Sequence, residues 1–300
     1  MCGLFGFVHY GNHEIKNLQD ITNALAEESA VRGTDATGIA FNKNGQLNIL
    51  KEAKSAYTID FKHPDDVVSL IGHTRHSTHG SEKKNYNNHP FSGKCNNGNF
   101  ALAHNGVLIN DKDLKKKYKL PKSKIETDSY IAVQLIESKK ELNAESIKFM
   151  AETVDGSFSF SILDANNTLW LVKGDSPLSI LHFPNLELYV YASTEEILWK
   201  ALVDTELFDE LKGGNYEKVQ ITDGDILNIL PDGNLVYDKF EYNESFGGYK
   251  WWNYGIVDEN EYIKELKSVA KYHGYTEEDI DHLIECGFEP EEIEEYMYCY

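Results

Sequence analysis

The run CGLFGFV at residues 2–8 is apolar, broken only by Gly3 and Gly6, and reads as a strand buried in the interior. What could cover such a strand follows from the pattern behind it. Residues 17–31 carry Leu18, Ile21, Leu25 and Ala26 at helical spacing on one face. GIAFN and LNILKE flank Asn44-Gly45, a strong hairpin signal. VVSLIGHTRHST reads as the end of a short helix that enters a strand and a loop. NFALAHNGVLI reads as a strand that runs into a sharp turn at Asn105-Gly106. ETDSYIAVQLIE looks like a helix start, with Thr127 or Asp128 near the cap. Residues 155–192 are strand-rich, and Ser193 or Thr194 then caps a helix that runs to about residue 202. Strands near 216–221 and 225–230 precede a hairpin turn at PDGN and the segment LVYDKF. Hairpins rather than regular βαβ units predict an α+β fold of two mainly antiparallel sheets sandwiched between helices.

Composition narrows the function classes. A length of 300 residues suffices for one large domain, or one domain and an appendage. A formal net charge of -20 argues against broad binding to nucleic acid or to anionic lipid, which both favour a basic face. The four cysteines, Cys2, Cys95, Cys286 and Cys299, form no CxxC pair, as expected of a reducing compartment. Cys95, in GKCNNGN, reads as a loop thiol. The start of the chain lacks the pattern of a signal peptide, and no apolar stretch approaches the roughly 20 residues that span a bilayer. A cytoplasmic protein, with neither nucleic acid nor membrane as partner, is expected.

Two features point to chemistry. A cysteine follows Met1 directly. Once Met1 is removed, Cys2 carries its own base, an α-amine with a pKa near 8, and a thiol needs a base to become a nucleophile. The second feature is the near-absence of arginine: 27 Lys accompany only Arg32 and Arg75. Under such a bias a retained Arg marks a place where a planar, bidentate donor is needed and Lys cannot substitute.

Arg32 lies in RGTDATG and Arg75 in GHTRHSTHG, and NNHPF, AHNGVL and ETD follow in order. With these five motifs behind Cys2, residues 2 to about 235 resemble the class II glutamine amidotransferases. These are N-terminal nucleophile hydrolases found as the glutaminase domains of glucosamine-phosphate synthase and amidophosphoribosyltransferase. The resemblance implies a four-layer αββα sandwich. It implies a domain over residues 1–240, with 241–300 as an aromatic linker and acidic helical tail; that tail holds 16 Asp and Glu against 4 Lys. It also implies that L-glutamine is hydrolysed through a Cys2 thioester. Arg75 would grip the α-carboxylate, Asp128 the α-ammonium, and Asn105 with Gly106 would form the oxyanion hole. Thr78 and His79 would line a loop that closes over glutamine, Arg32 would brace the nucleophile, and Asn88 and His89 would support the site. His76 stands where the sugar-phosphate synthases have Trp. No metal and no cofactor is expected, although His73, His76 and His79 recur at intervals of three.

The tail has no room for a synthase of the usual size, so the ammonia is expected to pass to a separate synthase partner. YKWWNY is a candidate docking segment, or packs the tail onto the first domain. Whether the protein forms a homo-oligomer is left open. Two other readings also stay open: a hydrolase of a larger γ-glutamyl compound, and a non-catalytic glutamine sensor or adaptor.

Overall fold

A computed structural model describes residues 2–11, 15, 17–77, 79–203 and 205–242. Beyond these it describes 263–264, 266–267, 270–271, 274–288 and 293. The first strand, β1 (Gly3–His9), lies inside a seven-stranded sheet. The other strands of that sheet are β2 (Ala36–Lys43), β3 (Gln46–Glu52), β4 (Ser69–Arg75), β9 (Ser179–Phe183), β10 (Leu188–Ala192) and β11 (Glu217–Lys218), in the order β11-β9-β10-β1-β4-β2-β3. The second sheet runs β13-β12-β8-β7-β6-β5. Its strands are β5 (Phe91–Cys95), β6 (Gly98–Leu108), β7 (Gly156–Asp164), β8 (Leu169–Lys173), β12 (Asp225–Ile229) and β13 (Leu235–Lys239). Every pairing in both sheets is antiparallel.

The period of two along each strand sets the layering. Leu4 and Val8 of β1 face the second sheet and join Ala101, Ala103, Leu163, Leu171 and Leu227 in a core between the sheets. Phe5 and Phe7 point the other way, onto the helices α1 (Leu18–Ser29), α5 (Glu195–Val203) and α6 (Phe208–Gly213). The outer face of the second sheet buries Phe100, Leu102 and Phe160 against α3 (Tyr130–Ser138) and α4 (Ala144–Thr153), and Leu114 of α2 (Asp111–Lys117) joins the same cluster. The result is helix, sheet, sheet, helix, as expected. At about 1.5–3 kcal/mol for each fully buried large apolar side chain, these three cores are what hold the layers together. In the tail, α7 (Glu277–Glu285) starts at a Thr276–Asp279 capping box, and Ile280 packs with Leu266, Ala270 and Ile293.

Three local expectations need correction. Asn105-Gly106 is not a turn: β6 continues through both residues to Leu108. The residues before β4 are not helical; β4 begins at Ser69 without one. The helix after ETD starts where expected: Ser129, directly after Thr127 and Asp128, occupies the cap position and spends its hydroxyl elsewhere. Cys95 is not in a loop: it is the last residue of β5, where the alternation of Phe91, Gly93 and Cys95 turns it inward. YKWWNY and Cys299 lie outside the described residues.

Candidate active site

The antiparallel pairing of β1 with β4 places Gly3 opposite Thr74, so Cys2 lies beside the end of β4, where Arg75 sits. The Cys2 thiol donates toward the carbonyl oxygen of His76 at 3.5 Å. Arg32 donates from Nε to the carbonyl oxygen of Cys2 at 2.9 Å. Both arginines of the chain therefore flank Cys2.

Arg75 is buried. Its Nη1 donates to Asn88 Oδ1 at 2.6 Å, and its Nη2 donates to the carbonyls of His79 at 2.7 Å and Gly80 at 2.8 Å. Burial pulls the guanidinium down, while Cys2, Asp35, Glu82 and Asp128 lie near enough to oppose the shift. This mutual field brings Cys2, Arg75 and Asp128 into one neighbourhood. Asp35 anchors the chain after Arg75 from outside: its Oδ2 accepts from Ser77 N at 2.8 Å, and its own N–H donates to the Arg75 carbonyl at 3.0 Å. The side chain of His76 approaches the same carboxylate, with Nδ1 at 4.0 Å from Oδ2.

The facing sheet supplies β6. Asn105 is buried, and its Nδ2 has no hydrogen-bond partner among the described residues. Gly106 has φ +134°, and a Cβ there would lie 2.1 Å from the Ser157 carbonyl oxygen. Only glycine fits, because both the backbone conformation and the close approach of β7 exclude a side chain. Asp128 is also buried. Its Oδ2 accepts the N–H of Leu108, at the end of the same strand, at 2.7 Å.

The two sheets are tied here by imidazoles. His73 Nε2 donates to the His104 carbonyl at 2.9 Å. His104 Nδ1 meets Ser129 Oγ at 2.8 Å. His89 stacks on His73 with ring centroids 4.1 Å apart, and neither of its ring nitrogens has a partner among the described residues. Burial keeps all three rings neutral. It brings His73 down to about 3, His89 well below the usual range and His104 down against the pull of Asp128.

Of the residues singled out from the sequence, Cys2, Arg32, Arg75, Asn105, Gly106, Asp128 and His89 gather at this end of the sandwich. His79 contributes its carbonyl, while the residue is exposed. Thr78 lies outside the described residues. Sequence reading missed Asp35, although it stands inside RGTDATG. His73 was noticed only as part of a run of histidines at intervals of three, and His104 and Ser129 were missed, each next to a singled-out residue.

The glutamine amidotransferase domain family matches residues 73–200, a span that includes Arg75, Asn105, Gly106 and Asp128. The chain carries a class II glutamine amidotransferase domain. It is 31% identical over 242 residues to the glutamine–fructose-6-phosphate aminotransferase of Oceanobacillus iheyensis, which covers 77% of this chain and 39% of that protein. It is 35% identical over 191 residues to the same-named protein of Staphylococcus aureus strain Mu50, covering 59% of this chain and 30% of that one. The chain thus spans well under half the length of these relatives. A solved glutamine phosphoribosylpyrophosphate amidotransferase from B. subtilis superimposes with a TM-score of 0.63 at 23% identity, over 81% of this chain and 50% of that one. The amidotransferase domain therefore shares its two-sheet sandwich with that enzyme. Among the described residues no helix is long and apolar enough to cross a membrane.

Proposed function

We propose that this domain hydrolyses L-glutamine to glutamate and ammonia through a γ-glutamyl thioester on Cys2, and that a separate synthase consumes the ammonia in the cytoplasm. The observation that carries the reading is the buried Nδ2 of Asn105, without a partner among the described residues, on the strand that faces the Cys2 end of β1. A buried donor without a partner costs about 1–3 kcal/mol. That cost is explained if the donor is aimed at a charge that forms only during reaction.

Free glutamine carries one carboxylate, one ammonium and a neutral amide. Arg75 and Asp128 are a fixed cation and a fixed anion for its two charges. With Met1 removed, the Cys2 amine takes the thiol proton, and Sγ attacks the side-chain amide carbon. The negative oxygen of the tetrahedral intermediate is received by Asn105 Nδ2 and the Gly106 N–H. The C–N bond then breaks, the amine passes its proton to the leaving nitrogen, and ammonia departs. Water adds to the thioester carbon, the C–S bond breaks, and glutamate leaves with the thiol restored. Arg32 holds the Cys2 carbonyl during both steps. Thr78 and His79 belong to the segment that closes over glutamine, and His89 supports the site through its stacking on His73. We take residues 1–240 as the catalytic unit and 241–300 as its appendage.

The test is glutamate release from glutamine by purified protein, wild type beside Cys2→Ala, with intact mass establishing Met1 removal. Release that disappears in the variant supports the reading. A correctly processed wild type that releases nothing, yet is labelled at Cys2 by an electrophilic glutamine analogue, points to a larger γ-glutamyl substrate or to activity gated by the synthase. Failure of both release and labelling leaves the sensor reading.

A further inference from the structure

We infer that Lys51 is a positioning residue for the glutamine grip: it fixes the 85–90 segment whose Asn88 holds the Arg75 guanidinium. The inference rests on the reading of Arg75 given above. Lys51 lies on β3, one strand from β4 across β2, and alternates inward with Leu47 and Ile49. Its Nζ donates to the Asn88 carbonyl at 2.5 Å and to the Pro90 carbonyl at 3.1 Å, and it lies 5.3 Å from the centre of the Phe91 ring. Its own carbonyl accepts from Asn85 Nδ2 at 2.7 Å. Asn88 in turn donates through Nδ2 to the Glu82 carbonyl and to Asn85 Oδ1, and accepts Arg75 Nη1 on Oδ1. One ammonium therefore holds both sides of His89 and the backbone of the residue that orients Arg75. Gly38, opposite Lys51 in the β2–β3 ladder, lets this segment press onto the sheet. A Cβ at Gly38 would meet the His89 carbonyl oxygen at 2.3 Å.

Among the described residues, the charged and titratable groups that act on Lys51 are Arg75 and His73 from β4, and His89 from the segment it holds. Glu52, its neighbour on β3, is paired with Lys54. Arg75 stays charged and the two imidazoles stay neutral over the neutral and mildly alkaline range. Lys51 is the member of this set that titrates there, because burial and then the Arg75 charge lower it to about 8. Below that pH the ammonium makes its charged hydrogen bonds. Above it the amine is neutral, and the hold on Asn88 weakens.

Steady-state glutamine hydrolysis by the full chain decides the matter. For Lys51→Met, KM for glutamine is expected to rise about tenfold, in line with losing charged hydrogen bonds, while kcat stays within about threefold. Lys51→Arg, which keeps a cation that does not titrate, is expected to restore KM at pH 7. Between pH 7 and 9 the wild-type KM rises more steeply than that of Lys51→Arg; the titration of glutamine's own amine is common to both and cancels in the ratio. An unchanged KM in Lys51→Met, or KM curves of wild type and Lys51→Arg that coincide from pH 7 to 9, would overturn the inference. Should Lys51→Met fail to fold, the pH comparison with Lys51→Arg decides alone. A wild type that neither hydrolyses glutamine nor takes the label on Cys2 removes the parent reading and this inference together, an outcome distinct from an active enzyme indifferent to Lys51.

Discussion

Replacing Asn105 by alanine separates the two things a buried polar side chain can be for. If Asn105 were a structural residue, its amide would be satisfied, and its loss would destabilise the fold. Its Nδ2 is instead buried and unpartnered among the described residues, so it already costs the native state about 1–3 kcal/mol. Removing it recovers that amount, less the packing lost with a small side chain. Stability should then be unchanged or slightly higher. At about 2–4 °C per kcal/mol for a domain of this size, Tm should lie between the wild-type value and roughly 4 °C above it. Activity should move the other way. Loss of one oxyanion donor costs about 10²–10³ in kcat, or about 2.7–4 kcal/mol. KM should hardly change, because the donor meets its charge only in the transition state. The assay pairs thermal unfolding with initial-rate glutaminase kinetics on the same preparation. A variant that melts several degrees lower and keeps kcat within about threefold of wild type would show that Asn105 serves packing, and the oxyanion assignment would fall with it.

Two further outcomes follow from other parts of the site. Asp128→Asn keeps an oxygen for the Leu108 N–H but loses the charge, so the fold should survive while kcat/KM for glutamine drops about 10–100-fold, a loss read by comparing wild-type and variant kinetics. The neutral buried imidazoles should make the protein acid-sensitive. The folded value of His73, about 3, lies below the unfolded value near 6.5, so the unfolded chain binds the extra proton and stability is lost as pH falls through that window. The loss reaches about 1.4 kcal/mol per unit for each such ring, and urea titrations from pH 7 to 4.5 should show a slope that His89→Asn reduces.

The layering was legible because it is a matter of period. The apolar run of β1 demands cover on both faces, Asn44-Gly45 marks a hairpin, and the helical stripe through Leu18, Ile21 and Leu25 is the face that covers Phe5 and Phe7. Turn chemistry misled at Asn105-Gly106. The dipeptide is a turn signal because Gly accepts positive φ, but here the positive φ serves the approach of the Ser157 carbonyl inside a continuous strand pair. Asn96, Asn97 and Gly98 hid β5 in the same way, by making the buried Cys95 look like part of a loop. Arg75 and Asp128 could be singled out because the motifs around them resemble the family's and because fixed charges of opposite sign suit a zwitterion. Asn88 was reached only as a general support of the site; its bond to the Arg75 guanidinium, 13 positions away, could not be read from the sequence. Lys51 occupies an inward position of β3 that, read alone, looks like the strand's polar end.

The contacts of Arg75 explain why this position holds arginine in a chain so rich in lysine. Three of its five N–H groups are already used, in one plane, by Asn88 and by the carbonyls of His79 and Gly80. A lysine at this place has three protons on a point charge. It could not hold Asn88 on one side and two loop carbonyls on another and still offer a donor to substrate. If Arg75 grips a carboxylate as proposed, both bidentate edges of its guanidinium draw on Nη2: the end-on fork pairs one Nη2 proton with one of Nη1, and the side-on fork pairs one with Nε–H. Both Nη2 protons already serve the His79 and Gly80 carbonyls, so either grip must release at least one of them. Binding and the position of the loop are thereby coupled through one nitrogen, and whatever fixes the guanidinium, from Asn88 back to β3, acts on both.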